Sequence, residues 1–262
     1  MALAIARGEI AIVDQVNRRV QRFKDGKVSA ILSIGGDTVQ DLALFGDKTV
    51  LLDRLADRNV QIYDREGKLE NESQLVGKGI QEGGTVTGLF TDDDGIYVER
   101  SHDVVVRIAD ARGAADPARP ELPGRPTRDG RLWISAQLLD RSSGVVAVRA
   151  IDRQSGQPAW QSEVPTNAPI QSLVMLDSDR NGMVYIAADV GTESPTPPYS
   201  IADESIQVTR LGTNGVQRGT LTLPPLSSAD ETFRPLTVDD DGNLYEMSAT
   251  DSGLQVTRYT FN

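Results

Sequence analysis

The stretch "NRRVQRFKDGK" (residues 17–27) returns some forty residues later as "DRNVQIYDREGK" (residues 57–68). Both are short runs of alternating polar and apolar residues that end in a glycine turn. That combination marks a half-buried strand entering a tight reversal. Fainter copies follow as "VVVRIADARG", "AVRAIDRQSG", "IQVTRLGTNG" and "LQVTRYTFN". Aligned on one valine, the six copies fall at Val20, Val60, Val105, Val148, Val208 and Val256. Each carries an apolar residue three positions on: Phe23, Tyr63, Ile108, Ile151, Leu211 and Tyr259.

Around this strand the chain repeats a larger pattern. A strand precedes each copy, often led by Asp-Gly or Asn-Gly: "RGEIAIVD", "DKTVLLD", "DDDGIYVE", "RDGRLWIS", "DRNGMVYIA" and "DDDGNLYEM". These pairs favour the positive φ angles of hairpin turns. Before the turn sits a further short strand, seen in "ALAIA", "VQDLALF", "VTGLFT", a poor "GRPT", "QSLVML" and "RPLTV". A fourth follows the valine strand in "KVSAILSI", "LENESQLV", a proline-broken "ARPEL", "AWQSEV" and "GTLTLP". Each unit is therefore four antiparallel strands, A to D, in roughly 40–50 residues, and strand-only repeats of that period predict propeller blades. No segment holds helical apolar spacing over three turns. The expected fold is all-β, a single six-bladed β-propeller, with blades near 1–35, 36–77, 78–122, 123–166, 167–225 and 226–262. The last blade is incomplete, because the sequence stops after its strand C.

The wording "IAIVDQVNRRVQRFKDGK" resembles an NHL repeat, and "VLLDRLADRNVQIYDREGK" is a fair second match. The aspartate that ends strand B is Asp14 and Asp53 in these two blades, but Arg100, Ala136, Ala188 and Ser248 stand at the later equivalents. The resemblance implies an NHL or TolB-like six-bladed propeller. It implies no single activity, since this fold hosts lyases, lactonases, sensors and adhesive scaffolds.

Composition narrows the partners. The 262 residues carry a net charge of −11, which repels phosphate backbones and argues against nucleic acid. No apolar run approaches the ~20 residues that a transmembrane helix needs. There is no cysteine, so disulfide and thiolate chemistry are absent, and a single histidine, His102, cannot build a multi-histidine metal centre. No G-x-S-x-G elbow and no phosphate loop occurs. "DSDRNG" (residues 177–182) opens like a calcium loop, but the downstream carboxylate is missing, and a solvated hairpin tip is the expectation. No metal, cofactor or catalytic residue is assigned. Glu99, Glu246 and Asp53 lie near strand-B ends, where a lactonase-type metal site would draw its ligands.

In a propeller the B–C and D–A connections gather on one face around the channel. Long loops on a rigid scaffold are where function concentrates. The B–C connection of blade 5 is swollen by "GTESPTPPYSIADE" (residues 191–204), and the D–A loops 77–85 and 224–232 are long. The expected partner-binding face therefore includes Pro195, Pro197, Pro198, Tyr199 and His102. The reading is a non-enzymatic binding or scaffold propeller that presents this face to a protein or small-ligand partner. The alternative is a metal-dependent hydrolase or lyase of the lactonase-like type. The uncovered edge at 254–261 is a template for strand addition. If residues before Met1 supply that strand, an export signal or anchor is the natural reason, which points to an extracytoplasmic location; otherwise a partner shields the edge or the blade stays three-stranded.

Overall fold

The computed structural model describes residues 1–35, 38–57, 59–75, 80, 86–100, 104–226 and 232–261. These residues form six small antiparallel sheets in a ring, and none is helical. Blade 1 is β1 (Ala2–Ala6), β2 (Glu9–Asp14), β3 (Arg19–Lys24) and β4 (Lys27–Ser33). Blade 2 is β5 (Val39–Phe45), β6 (Lys48–Asp53), β7 (Asn59–Tyr63) and β8 (Leu69–Gln74). Blade 3 is β9 (Val86–Asp92), β10 (Gly95–Arg100), β11 (Val104–Asp110) and β12 (Glu121–Leu122). Blade 4 is β13 (Arg125–Pro126), β14 (Leu132–Asp140), β15 (Val145–Asp152) and β16 (Pro158–Pro165). Blade 5 is β17 (Ile170–Ser178), β18 (Val184–Glu193), β19 (Ile201–Leu211) and β20 (Gln217–Leu223). Blade 6 has three strands, β21 (Leu236–Val238), β22 (Leu244–Thr250) and β23 (Gly253–Tyr259).

The six valines of the repeat all lie in third strands, and the missing fourth strand of blade 6 can be read from them. Val20, Val60, Val148 and Val208 are fully buried and Val105 nearly so, whereas Val256 is only partly buried. Nothing among the described residues covers its outer side.

Blades pack face to face, and each of the six interfaces has its own apolar cluster. Between blades 2 and 3, for example, Val50, Leu52, Val60 and Ile62 meet Leu89, Ile96, Val98 and Val106. The 3–4 interface is more aromatic than this one. It uses Tyr97, Val105 and Trp133, with the two rings edge to face at 5.9 Å between centroids. Arg153 stacks 4.2 Å over Trp133 and binds Asp92 at 2.5 Å and the Tyr97 hydroxyl at 2.9 Å. Aromatic and cation–π contacts thus stand at the centre of this interface, as they do between blades 5 and 6, where Tyr185 meets Phe261 and Arg210 stacks on that ring.

The ring closes through inner strands. The Phe233 amide donates to the Met1 carbonyl at 2.7 Å, and the Leu3 amide to the Arg234 carbonyl at 3.1 Å. At blade 4 the inner layer is interrupted. β13 has two residues against the nine of β14, and β17 of the next blade meets blade 4 through β14. Only Pro123 and Gly124 separate outer strand β12 from β13. A Cβ at Gly124 would collide with the Ile134 carbonyl, so only glycine permits this crossing.

Candidate functional site

The aspartates that carry the NHL resemblance close B–C turns. Asp14 accepts from the Asn17 amide at 3.1 Å and from Arg19 Nε at 2.9 Å. Asp53 accepts from the amides of Leu55 and Ala56, both at 3.0 Å, and from the Thr38 hydroxyl at 2.6 Å. A short acceptor at the end of strand B satisfies amides that the turn leaves free.

The calcium-like run behaves in the same way. Asp179 accepts from the Asn181 and Met183 amides and from the Tyr185 hydroxyl at 2.8 Å. Asp177 faces the channel instead, so the two carboxylates are committed to different partners. Asp92 and Asp239 likewise hold the amides of their own A–B turns.

Among the described residues, several arginines reach across the channel. Arg128 donates to the Ile5 carbonyl of blade 1 at 2.8 Å and to Asp177 of blade 5 at 3.2 Å, and it lies 3.5 Å from Asp240 of blade 6. Arg234 spans from blade 6 to Asp41 of blade 2 at 2.6 Å. Arg125 grips Glu99 of blade 3 through two bonds, 2.7 and 2.8 Å, and reaches the Leu176 carbonyl of blade 5 at 3.0 Å. Arg125 and Arg234 both stack on Phe90, at 4.7 and 5.4 Å. The space left between these groups is about 170 Å³.

The balance of burial against pairing moves two of the channel carboxylates in opposite directions. It pushes the Asp177 carboxyl up, but the Arg128 charge and the Val238 and Ser178 amides more than offset it, and Asp177 sits below the ordinary aspartate range. At Asp41 burial prevails over Arg234 and over two amide donors, and the carboxyl is raised.

A larger cleft of about 610 Å³ opens on the face of the B–C and D–A connections. Its walls are β14 from Ile134 to Leu138, β17 from Ser172 to Leu176, and Phe233. Leu173 is 37% exposed, and Ala136, Leu138 and Val174 are partly exposed. Two arginines on its lining, Arg54 and Arg141, form no salt bridge among the described residues. Arg54 donates to the Val86 carbonyl at 3.1 Å and stacks on Phe233 at 4.9 Å, while its Nε is buried without a partner among the described residues.

The sequence-predicted groups lie as follows. Residues 191–204 are not one loose insertion: β18 and β19 continue as a paired hairpin, with Thr192 opposite Ala202 and Glu193 opposite Ile201. Only 194–200 form the tip, which carries Pro195, Pro197, Pro198 and a 64% exposed Tyr199. Val190, Thr192 and Ile201 are β-branched residues of the kind that favours strand over loop. None of these tip residues lines either cavity. His102 and most of the two D–A loops lie outside the described residues. Glu99, Glu246 and Asp53 do not come together: Glu99 pairs with Arg125, Glu246 accepts from the Tyr259 hydroxyl at 2.7 Å, and Asp53 caps its turn. Sequence reasoning missed the channel arginines and the cleft. The one available signal was the two-residue passage from "EL" to "RP", too short to lead into a full inner strand.

No protein-family model matches the chain, and neither does any curated protein. Solved structures do match. Hydrazine synthase of Kuenenia stuttgartiensis is similar at 15% identity and a TM-score of 0.57, over 93% of this chain and 72% of that one. KlHsv2 with loop 6CD replaced by a Gly-Ser linker is similar at 8% identity and 0.55, over 100% and 97%. BamB from Moraxella catarrhalis is similar at 12% identity and 0.48, over 99% and 84%. The likeness is one of fold. The chain is a six-bladed β-propeller.

Proposed function

We propose that this propeller is a binding protein that receives its partner on the B–C/D–A face, at the cleft between blades 4 and 5. The observation that carries the reading is the lining of that cleft. Partly exposed apolar side chains stand beside two arginines that no described carboxylate neutralises. The Arg54 guanidinium is partly buried in this wall, with an Nε that has no partner among the described residues, and is costly to place there unless something outside answers it. The channel carboxylates are poor candidates for chemistry, because Asp41, Glu99 and Asp177 are each engaged by an arginine. The hairpin tip with Tyr199 rises from blade 5 on the same face and extends the binding surface. An NHL-type assignment rests on blades 1 and 2 alone.

The test is affinity capture from the source cells with wild-type protein and with Leu173→Asp. A specific partner retained by the first and lost by the second, with circular dichroism unchanged, is the expected result. A stoichiometric divalent metal retained through chelator-free purification, together with turnover of ester or lactone substrates, overturns the reading in favour of a hydrolase.

A further inference from the structure

We infer that the segment bound in this cleft is an extended acidic peptide that takes the place of the missing half of blade 4's inner strand. The inference rests on the binding reading above. It starts from the edge of β14. The Thr127 amide donates to the Leu132 carbonyl at 3.0 Å, and the Leu132 amide donates to the Thr127 hydroxyl at 3.0 Å, so Leu132 directs its backbone groups inward. Two residues on, Ile134 pairs with Arg125 of β13. Strand alternation then directs the amides and carbonyls of Ala136 and Leu138 to the same inner edge. There β13 has already ended, and no described residue pairs with them on that side. A free edge beside an apolar cleft is the geometry of strand addition.

Chemistry at the ends of the cleft selects the peptide. Arg141 follows β14 directly, is exposed, and has no carboxylate partner among the described residues. Arg54 stands on the lining with its Nε buried and without a partner among the described residues. A segment continuing the line of β13 runs antiparallel to β14, like every other inner strand. Its N-terminal part then lies beside Leu138 and Arg141, and an Asp or Glu there meets the guanidinium. Apolar side chains further along meet Leu173 and Val174. The rest of the protein's surface is acidic on balance, so an acidic peptide is steered to this spot and away from others.

The experiment selects random nine-residue peptides, displayed on phage, against the whole protein, and measures synthetic versions by fluorescence anisotropy. The expected peptides carry Asp or Glu next to β-branched residues. Arg141→Glu and Arg54→Glu each weaken binding by about tenfold or more, the loss expected for a charge-assisted contact. Methylation of alternate peptide amides weakens it similarly. Binding that ignores both arginine variants and amide methylation overturns the inference. A second arm places a photo-crosslinking benzoylphenylalanine at Leu173 in the source cells. If no peptide is selected but Leu173 crosslinks a folded partner or a second copy of this chain, the extended-peptide inference falls while the binding reading stands. If neither arm yields a contact, both fall.

Discussion

Arg22 is 1% exposed and carries a full charge inside the protein. It is held by Glu9 from the same blade and by the Asp47 carbonyl, at 2.8 Å, from the next. Glu9 also accepts from the Ser29 hydroxyl at 2.8 Å. Removing one partner of such a pair leaves a buried charge unanswered, so Glu9→Gln is expected to destabilise the fold by about 3 kcal/mol at pH 7. Burial pushes the Glu9 carboxyl up, but the bonds from Arg22 and Ser29 and the Arg22 charge bring it below its ordinary value of 4.5. A lowered folded pKa stabilises above the unfolded value and loses that contribution as pH falls through the folded one. The difference between wild type and Glu9→Gln in urea denaturation should therefore shrink as pH falls below 4.5. A difference that holds constant into acid would show that the pair contributes shape and no net charge stabilisation. The uncharged double variant Glu9→Gln with Arg22→Met should recover part of the loss, since it removes the stranded charge. Calcium offers a second test at this scale. Asp177 and Asp179 already serve separate internal partners, so added calcium should leave the melting temperature nearly unmoved. Filling a real site at hundredfold excess would add about 2.7 kcal/mol.

Among the elements, the β18–β19 hairpin separates a scaffold from what it carries. Its arms are paired as far as Glu193 and Ile201, and the tip hangs beyond them. Replacing residues 194–200 by Asn-Gly joins a directly opposed pair through a two-residue turn of the favoured type. The expected melting temperature shifts by no more than about 2 °C, because loop closure depends only weakly on length. If Tyr199 belongs to the binding face, partner capture falls in the same variant, and a large drop in stability would mean that the tip is packed structure. The strands themselves were legible because the five blades with a covering fourth strand bury the same third-strand position, and a valine there repeats with the blade. The weak "GRPT" and "ARPEL" readings mark real truncations to two residues each, β13 and β12. The proline and glycine between them deny the backbone a longer ladder. The cleft was not legible, since it is made by a strand that is absent and by arginines from blades 2 and 4. Arg125, Arg128 and Arg234 were equally hidden: they stand at different places in their blades, and their partners lie up to 193 residues away.

At the scale of the whole molecule, the arginines turn a ring of neighbours into a cross-braced one. Repeat proteins hold together chiefly by contacts between adjacent units. Here Arg234 ties blade 6 to blade 2 through Asp41, and Arg128 ties blade 4 to blades 1, 5 and 6. Arg234 also belongs to the seam, because its carbonyl receives the Leu3 amide. The Asp41 carboxylate is fully buried, and it accepts from the Leu42 and Leu89 amides as well as from Arg234. Arg234→Gln keeps the backbone seam and removes the only positive charge paired with Asp41 among the described residues. The expected cost at pH 7 is about 3 kcal/mol, from the uncompensated carboxylate. Burial already holds the Asp41 carboxyl above its ordinary value of 3.8 against the pull of Arg234, and without Arg234 it rises further. A raised folded pKa gives a contribution that is present below the unfolded value and lost as pH rises through the folded one. The variant's deficit should thus be largest at neutral pH and should narrow as pH falls towards 3.8, opposite to a simple acid weakness. Adding Asp41→Asn to Arg234→Gln should remove most of that pH dependence. Urea midpoints for the three proteins across this range decide the matter: a deficit that does not change with pH would mean that Arg234 braces the ring through its stacking on Phe90 and its bond to the Leu89 carbonyl, and not through Asp41.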